Sequence, residues 1–71
     1  MKNKIRKYVE KSGKTVGTIV KEAQISRSTF YAILNGEQVP RIDTAIRIAQ
    51  ALEVDIADAF PFMRGGYTDH D

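Results

Sequence analysis

The chain has 71 residues and no cysteine, so a single domain is expected, and disulfide bonds and thiolate metal sites are excluded. Residues 1–47 hold ten basic and four acidic side chains, whereas residues 48–71 hold one basic and five acidic ones. This uneven distribution of a net charge of +2 offers a basic surface to a polyanion. Apolar residues at helical spacing, followed by Gly13, predict a first helix over residues 3–12.

A second and a third helix are predicted close together. Thr15 can accept hydrogen bonds from the amides of a first turn, so it is predicted to cap a helix over residues 16–23. After a short connection, Ser26 is a second predicted cap, and Asn35 and Gly36 are predicted to end the third helix. Two short helices joined by such a tight turn have to cross at a large angle.

Two further helices are predicted before a C-terminal tail. Asp43 is predicted to cap the fourth helix. The buried stripe of that helix is predicted to contain Ala45, Ile46, Ala49 and Leu52, with Ile48 beside it. Asp55 is predicted to cap a short fifth helix that includes Phe60 and ends at Pro61. The expected organisation is one domain over residues 1–62 and a tail over residues 63–71 that is flexible or takes part in dimerisation.

Several features occur together in a fixed order along the chain. They are the capping Thr15, the apolar Ile19, Val20, Ala23 and Ile25, Ser26, the apolar Phe30 and Ile33, Asn35-Gly36, Pro40 and the run Ile46–Val54. This ordered set resembles the helix-turn-helix of the Cro and phage-repressor family, also called the XRE family. The resemblance implies an all-α bundle of five short helices with a lambda-repressor-like DNA-binding domain. It also implies sequence-specific binding of double-stranded DNA and regulation of transcription, more often repression.

The outward face of the third helix is the predicted base-reading surface. With Phe30, Ile33 and Leu34 turned inward, the side chains left outside are Arg27, Ser28, Tyr31 and Ala32. Arg27 is the strongest candidate because a guanidinium can donate two hydrogen bonds to guanine. The alternatives are a solvated arginine, an exposed serine and a tyrosine half packed against the first helix, while Ala32 can offer only an apolar contact.

Phosphate contacts are expected at helix N-termini and in the loop after the third helix, since exposed amides and the helix dipole favour an anion there. By the resemblance, these positions are Lys14, Thr15, Ser26, Asn35, Gly36 and Arg41. Capping alone would also account for Thr15 and Ser26, and Lys14 has a plain surface role as its alternative.

The sequence departs from the family pattern at the turn and at one helix pair. Gln24 stands where the family usually has glycine in a left-handed conformation, so a strained residue is expected there. The family often pairs an arginine of the first helix with a glutamate at the end of the third. Val9 and Leu34 occupy these positions, and an apolar contact can replace an ion pair without loss of stability.

A homodimer that reads two half-sites about 34 Å apart is expected, because one recognition helix buries too little surface for tight discrimination. The candidate interface residues are Phe60, Phe62, Met63 and Tyr67. For Phe60 and Phe62, closing the core of the monomer is an equal alternative.

Other functions are weighed against this regulator. No catalysis, metal, cofactor or small-molecule ligand is expected, since His70 is the only histidine and no glycine-rich phosphate loop or metal-ligand spacing is present. No apolar run approaches the roughly 20 residues that cross a bilayer, so a cytoplasmic protein without a membrane partner is expected. The alternative function is a protein-interaction module, an antitoxin or anti-repressor, because Val16 and Ala32 are apolar where the family commonly has polar DNA contacts.

Overall fold

Five α-helices make up the part of the chain that the computed structural model describes, residues 4–61. They are α1 (Ile5–Ser12), α2 (Val16–Ala23), α3 (Arg27–Leu34), α4 (Ile42–Leu52) and α5 (Ile56–Ala59). No strand occurs within this part of the chain. The predicted all-α fold of five short helices is therefore confirmed.

Local chemistry explains where the first three helices begin and end. α1 ends at Gly13, whose φ of +72° is left-handed. The hydroxyl of Thr15 accepts a hydrogen bond from the amide of Thr18 at 3.1 Å, and the hydroxyl of Ser26 accepts one from the amide of Thr29 at 3.1 Å. Both predicted N-caps are confirmed, because a capping hydroxyl needs only its own neighbours along the chain.

The turn between α2 and α3 has the left-handed conformation that the sequence predicts. Gln24 has φ 60° and ψ 44°, its amide donates to the carbonyl of Lys21, and the amide of Ile25 donates to the carbonyl of Val20. This pair of hydrogen bonds closes the helix end as a Schellman motif. Glu53 repeats the conformation after α4, with φ 61°, and the sequence analysis does not anticipate this second left-handed residue.

The predicted start and face of α4 are wrong in detail. The residue before the helix is Arg41, while Asp43 lies inside the first turn and its carboxylate accepts a hydrogen bond from the amide of Thr44 at 2.8 Å. Ile46 is exposed and Ile48 is fully buried, the reverse of the prediction. The buried residues of α4 are Ala45, Ile48, Ala49, Ala51 and Leu52. Both isoleucines are equally apolar, so hydrophobicity alone does not choose between adjacent positions on a helix.

The fifth helix is shorter than predicted. It ends at Ala59, and Asp55 occupies the N-cap position without a side-chain capping hydrogen bond. Phe60 follows the helix, and its amide still donates to the carbonyl of Ile56 at 2.8 Å. The amide of Lys4 donates to the carbonyl of Ala59 at 3.0 Å, which joins the start of α1 to the end of α5.

The core lies around α4, which packs against α1, α2 and α5, while α3 packs against α2. Its largest fully buried side chains are Ile5, Ile19, Phe30, Ile33, Ile48 and Phe60. No polar or charged residue is buried within residues 4–61. None of the helices described there combines the length and apolar character that a membrane crossing requires.

The interface residues predicted near the C-terminus divide into two groups. Phe60 is fully buried and closes the core of the monomer, so its ring is not on the surface. Phe62, Met63 and Tyr67, together with the tail over residues 63–71, lie outside the described residues.

Candidate nucleic-acid interface

The site is built on α2 and α3, two eight-residue helices joined by three residues. Phe30 and Ile33 are fully buried on the inner side of α3 and belong to the same core as Ile19 and Ala23 of α2. Because a packed core resists deformation, these contacts fix how α3 lies on the body of the protein. The opposite side of α3 carries none of the core residues.

The four predicted base-reading residues come together on the outer side of α3. Arg27, Ser28 and Tyr31 are exposed, and Ala32 is half-buried. Tyr31 and Ala32 each lie four residues, about one turn, after Arg27 and Ser28, so the four side chains share one face of the helix. The ring of Tyr31 meets that of Phe30 edge to face, with 6.0 Å between the ring centroids. Tyr31 therefore keeps one side on the core while the rest of its ring faces outward.

The guanidinium of Arg27 lies over the first turn of α2. A Cβ atom placed on Gly17 would stand 3.2 Å from Nη2 of Arg27, closer than an ordinary van der Waals contact. The absence of a side chain at Gly17 thus leaves room for the guanidinium of Arg27 beside the first turn of α2. Gly17 is not predicted from the sequence to be part of the site, because nothing in the residue spacing links it to Arg27.

The N-termini of α2 and α3 are lined with hydroxyl groups and carry no acidic residue in the first turn. Thr15 and Thr18 share a hydrogen bond of 3.0 Å, and the hydroxyl of Ser26 donates to that of Thr29 at 2.8 Å. The positive ends of both helix dipoles are therefore not neutralised by their own first turns. Thr15 and Ser26 are exposed there, although both hydroxyls already act as caps.

The ammonium of Lys14 contacts α2 and the carboxyl end of α4. It lies 2.9 Å from a carboxylate oxygen of Glu22, 2.7 Å from the carbonyl of Ala51 and 3.7 Å from Glu53. The hydrogen bond to Glu22 is the main cause that raises the pKa of Lys14, and the charges of both carboxylates act in the same direction. The ammonium therefore joins α2 to the carboxyl end of α4, where the helix dipole also favours a cation.

The loop after α3 contains the remaining predicted phosphate contacts. The side-chain oxygen of Asn35 accepts a hydrogen bond from Nη2 of Arg6 at 3.1 Å. Gly36 has a φ of +78° and its amide donates to the carbonyl of Ile33. Arg41 is exposed immediately before α4. Asn35, Gly36 and Arg41 thus belong to the segment between α3 and α4, whereas Lys14 contacts Glu22 of α2 and Ala51 of α4.

Arg6 and Arg47 are two basic residues that the sequence analysis does not assign. Arg6 places a guanidinium of α1 at the carboxyl end of α3 through its bond to Asn35. Nε of Arg47 donates to the carbonyl of Ala23 at 2.8 Å, which ties α4 to the end of α2. Neither contact follows a sequence period, since each partner is more than 20 residues away.

The apolar residues that depart from the family pattern have structural roles. Val9, Val16 and Leu34 are half-buried and pack against the core. The carbonyl of Ala32 accepts hydrogen bonds from the amides of Glu37 and Gln38 as the loop folds back onto α3. The apolar character of Val16 is therefore explained by packing.

Within residues 4–61, no three histidine, cysteine, aspartate or glutamate side chains are grouped so that they could hold a metal ion. Residues 3–59 match a family described as a helix-turn-helix domain. Neither a curated protein nor a solved structure matches the chain. The matched residues contain all five helices and every candidate DNA-contacting side chain described above.

Proposed function

This chain belongs to the helix-turn-helix domain family, and we propose that it is a sequence-specific regulator of transcription, a small Cro-like repressor of the XRE type. The main support for this proposal is that the outer face of α3 is exposed. A helix can enter the major groove, roughly 12 Å wide, when its outer face is free of core contacts. Phe30 and Ile33 pack the inner side of α3 into the core, and the outer face stays exposed.

In the proposed complex, α3 lies in the major groove and its outer face contacts base edges. Arg27 donates to the O6 and N7 acceptors of a guanine, an interaction that contributes roughly 1–3 kcal/mol of discrimination. Ser28 bonds a base or a phosphate, Tyr31 contacts a thymine methyl group or a phosphate, and Ala32 offers an apolar contact. Most of the base discrimination is therefore expected at the amino end of α3, where Arg27 lies.

The phosphate contacts position the protein on the duplex. We place Thr15 and Ser26 against phosphates of the DNA backbone because they lie at two helix N-termini. Asn35, Gly36 and Arg41 supply a second set of contacts from the loop after α3. The contacts of Lys14 with Glu22 and Ala51 favour a structural role over the phosphate contact that the sequence predicts, and a salt titration distinguishes the two roles.

Repression follows from occupancy of the promoter, and a homodimer supplies the two recognition helices that an operator with two half-sites requires. Such a regulator works in the compartment that holds the DNA, and the cytoplasmic location stays a prediction. The alternative of an antitoxin or anti-repressor keeps only Ala32 in its favour on the outer face of α3, because Val16 packs against the core.

Selection of bound fragments from random duplex DNA tests the proposal. We expect a two-fold symmetric motif with a guanine at the position that Arg27 reads, and we expect Arg27→Ala to remove the preference at that position. Binding that is equal for all sequences, before and after Arg27→Ala, would remove Arg27 from the reading role. NMR chemical shifts of α3 that stay unchanged when many duplexes are added at low salt would contradict DNA binding itself.

A further inference from the structure

An aliphatic surface follows α3 directly along the chain. Val39 is 52% exposed, Ile42 is 41% exposed and Ile46 is 41% exposed, and apart from Tyr31 no other large hydrophobic side chain within residues 4–61 is exposed. Ile42 and Ile46 lie one turn apart on the same face of α4, and Val39 precedes them in the loop that enters this helix. We call these three residues the aliphatic patch.

Charges of both signs flank the aliphatic patch. Glu37 and Arg41 are exposed, and neither forms an ion pair within residues 4–61. Asp43 is 3.8 Å from Arg47, and its side chain is largely exposed. The charges beside the patch are mixed and not uniformly basic, so they favour a protein partner that also carries both signs over an anionic bilayer.

We propose that the aliphatic patch is the surface on which a second copy of this chain docks across a two-fold axis. A two-fold interface joins the same surface on both copies, so that surface must be complementary to itself. An apolar centre with basic and acidic groups at its edge meets this condition, because the charges of one copy can face opposite charges of the other.

This inference rests on the proposed function, since it names the surface that brings two recognition helices together. Only residues 35–38 separate the end of α3 from Val39. Contact through the patch therefore holds the two copies of α3 at one fixed distance, as two half-sites require. Because Phe60 is fully buried and Tyr31 lies on the outer face of α3, this patch is the exposed aliphatic surface that remains within residues 4–61.

The small size of the patch predicts how dimerisation behaves. Three partly exposed aliphatic side chains on each copy form the apolar part of the interface, and interfaces below roughly 1,000 Å² are weak or transient. The dimer is therefore weak in solution and forms on DNA, where two adjacent half-sites raise the effective concentration of one copy for the other.

Binding to selected duplexes tests the docking surface. The probes are one half-site and the symmetric site that wild type selects, and the variants are Ile42→Ser/Ile46→Ser and the control Gln50→Ser, which changes an exposed residue of the same helix. We expect wild type and Gln50→Ser to bind the symmetric site cooperatively. The double variant should keep its affinity for the half-site and lose at least about tenfold in affinity for the symmetric site.

Cross-linking tests the same surface without DNA. Because the chain contains no cysteine, Ile46→Cys and Gln50→Cys each carry a single thiol. With a short bis-maleimide at high protein concentration, Ile46→Cys should give covalent dimers and Gln50→Cys should give far fewer. Thermal unfolding of all variants near the wild-type temperature confirms that the exposed substitutions leave the fold intact.

Two results would overturn the docking surface while leaving DNA binding in place. One is equal cooperativity of wild type and the double variant on the symmetric site, and the other is binding of wild type as a monomer at every concentration. Absence of any duplex binding would contradict the proposed function instead, and the cross-linking comparison then decides the dimer by itself. Equal cross-linking of both cysteine variants would also overturn the inference.

Discussion

Gln24 adopts a left-handed backbone conformation, φ 60° and ψ 44°, that a residue with a Cβ reaches only at a cost of about 1–2 kcal/mol. Gln24→Gly removes this cost but adds conformational freedom to the unfolded chain. We expect the free energy of unfolding to rise by about 1 kcal/mol, which raises the melting temperature by roughly 4–8 °C in a domain of this size. Thermal denaturation followed by circular dichroism measures the change.

Gly13→Ala is the matched control for this prediction. Gly13 has a φ of +72°, and an added Cβ would meet no atom within 4 Å, so the substitution introduces backbone strain without a steric clash. It should lower the melting temperature by an amount similar to the gain from Gln24→Gly. If Gln24→Gly leaves the melting temperature unchanged or lowers it, the side chain of Gln24 contributes something that the backbone conformation does not explain.

Gly17→Ala tests whether the position of Arg27 matters for reading DNA. The new methyl group would stand 3.2 Å from Nη2 of Arg27, so the guanidinium has to shift by a few tenths of an ångström. Alanine is the better helix former, by up to about 1 kcal/mol, so the melting temperature should not fall. We expect the preference for the base pair read by Arg27 to weaken modestly, and by less than in Arg27→Ala, in a competition assay with single-base variants of the site.

The Arg27→Ala background supplies the control for this effect. There, Gly17→Ala should not change the base preference further, because the guanidinium that it displaces is already gone. An equal loss of preference in both backgrounds would show that Gly17 acts on another contact.

At the scale of the elements, a helix boundary set by neighbouring residues is predictable and a helix face is less so. The hydroxyl caps Thr15 and Ser26 set where α2 and α3 begin, and both starts agree with the predicted positions. The start of α4 at Ile42 has no side-chain cap and does not agree. Ile46 and Ile48 are chemically identical, and Ile48 is the buried one because it lies on the side of α4 that packs into the core.

Lys14 joins elements that lie far apart in the sequence, and its removal tests that link. Lys14→Met leaves Glu22 and the carbonyl of Ala51 without the ammonium, so the melting temperature at neutral pH should fall. Lys21→Met, an exposed lysine of the same α2 region that forms no ion pair within residues 4–61, should change it much less.

The pH dependence of stability gives the same link a second readout. The folded state raises the pKa of Lys14 above its ordinary value of 10.5, chiefly through the hydrogen bond to Glu22. The resulting stabilisation is fully present below pH 10.5 and is lost as the pH rises through the raised pKa. Between wild type and Lys14→Met, the difference in melting temperature should therefore shrink above that pH. A difference that stays constant would argue for packing rather than charge.

The excess of basic residues over residues 1–47 predicts that DNA binding by this protein weakens steeply as the salt concentration rises. Each phosphate that the protein neutralises contributes about 0.9 unit to the slope of log K against log salt concentration. Arg41 is exposed and forms no ion pair within the described residues, so Arg41→Met should reduce the slope by about that amount. Lys14→Met should leave the slope unchanged, because its ammonium is held by Glu22.

Gel-shift titrations of wild type and both variants from low to physiological salt measure these slopes. A reduction of about 0.9 unit for Lys14→Met would show that the ammonium leaves Glu22 and contacts a phosphate, as the sequence analysis expects. A slope near zero for wild type would contradict binding to the DNA backbone altogether.

Five helices, the caps of α2 and α3 and the strained turn at Gln24 are predictable from the amino-acid sequence, because they depend on residues within one or two turns of each other. The packing of the helices sets three further features: which isoleucine of α4 is buried, the contacts of Lys14 with Glu22 and Ala51, and the position of Gly17 beside Arg27. Each of these depends on how helices distant along the chain pack together, and neither periodicity nor capping rules contain that information.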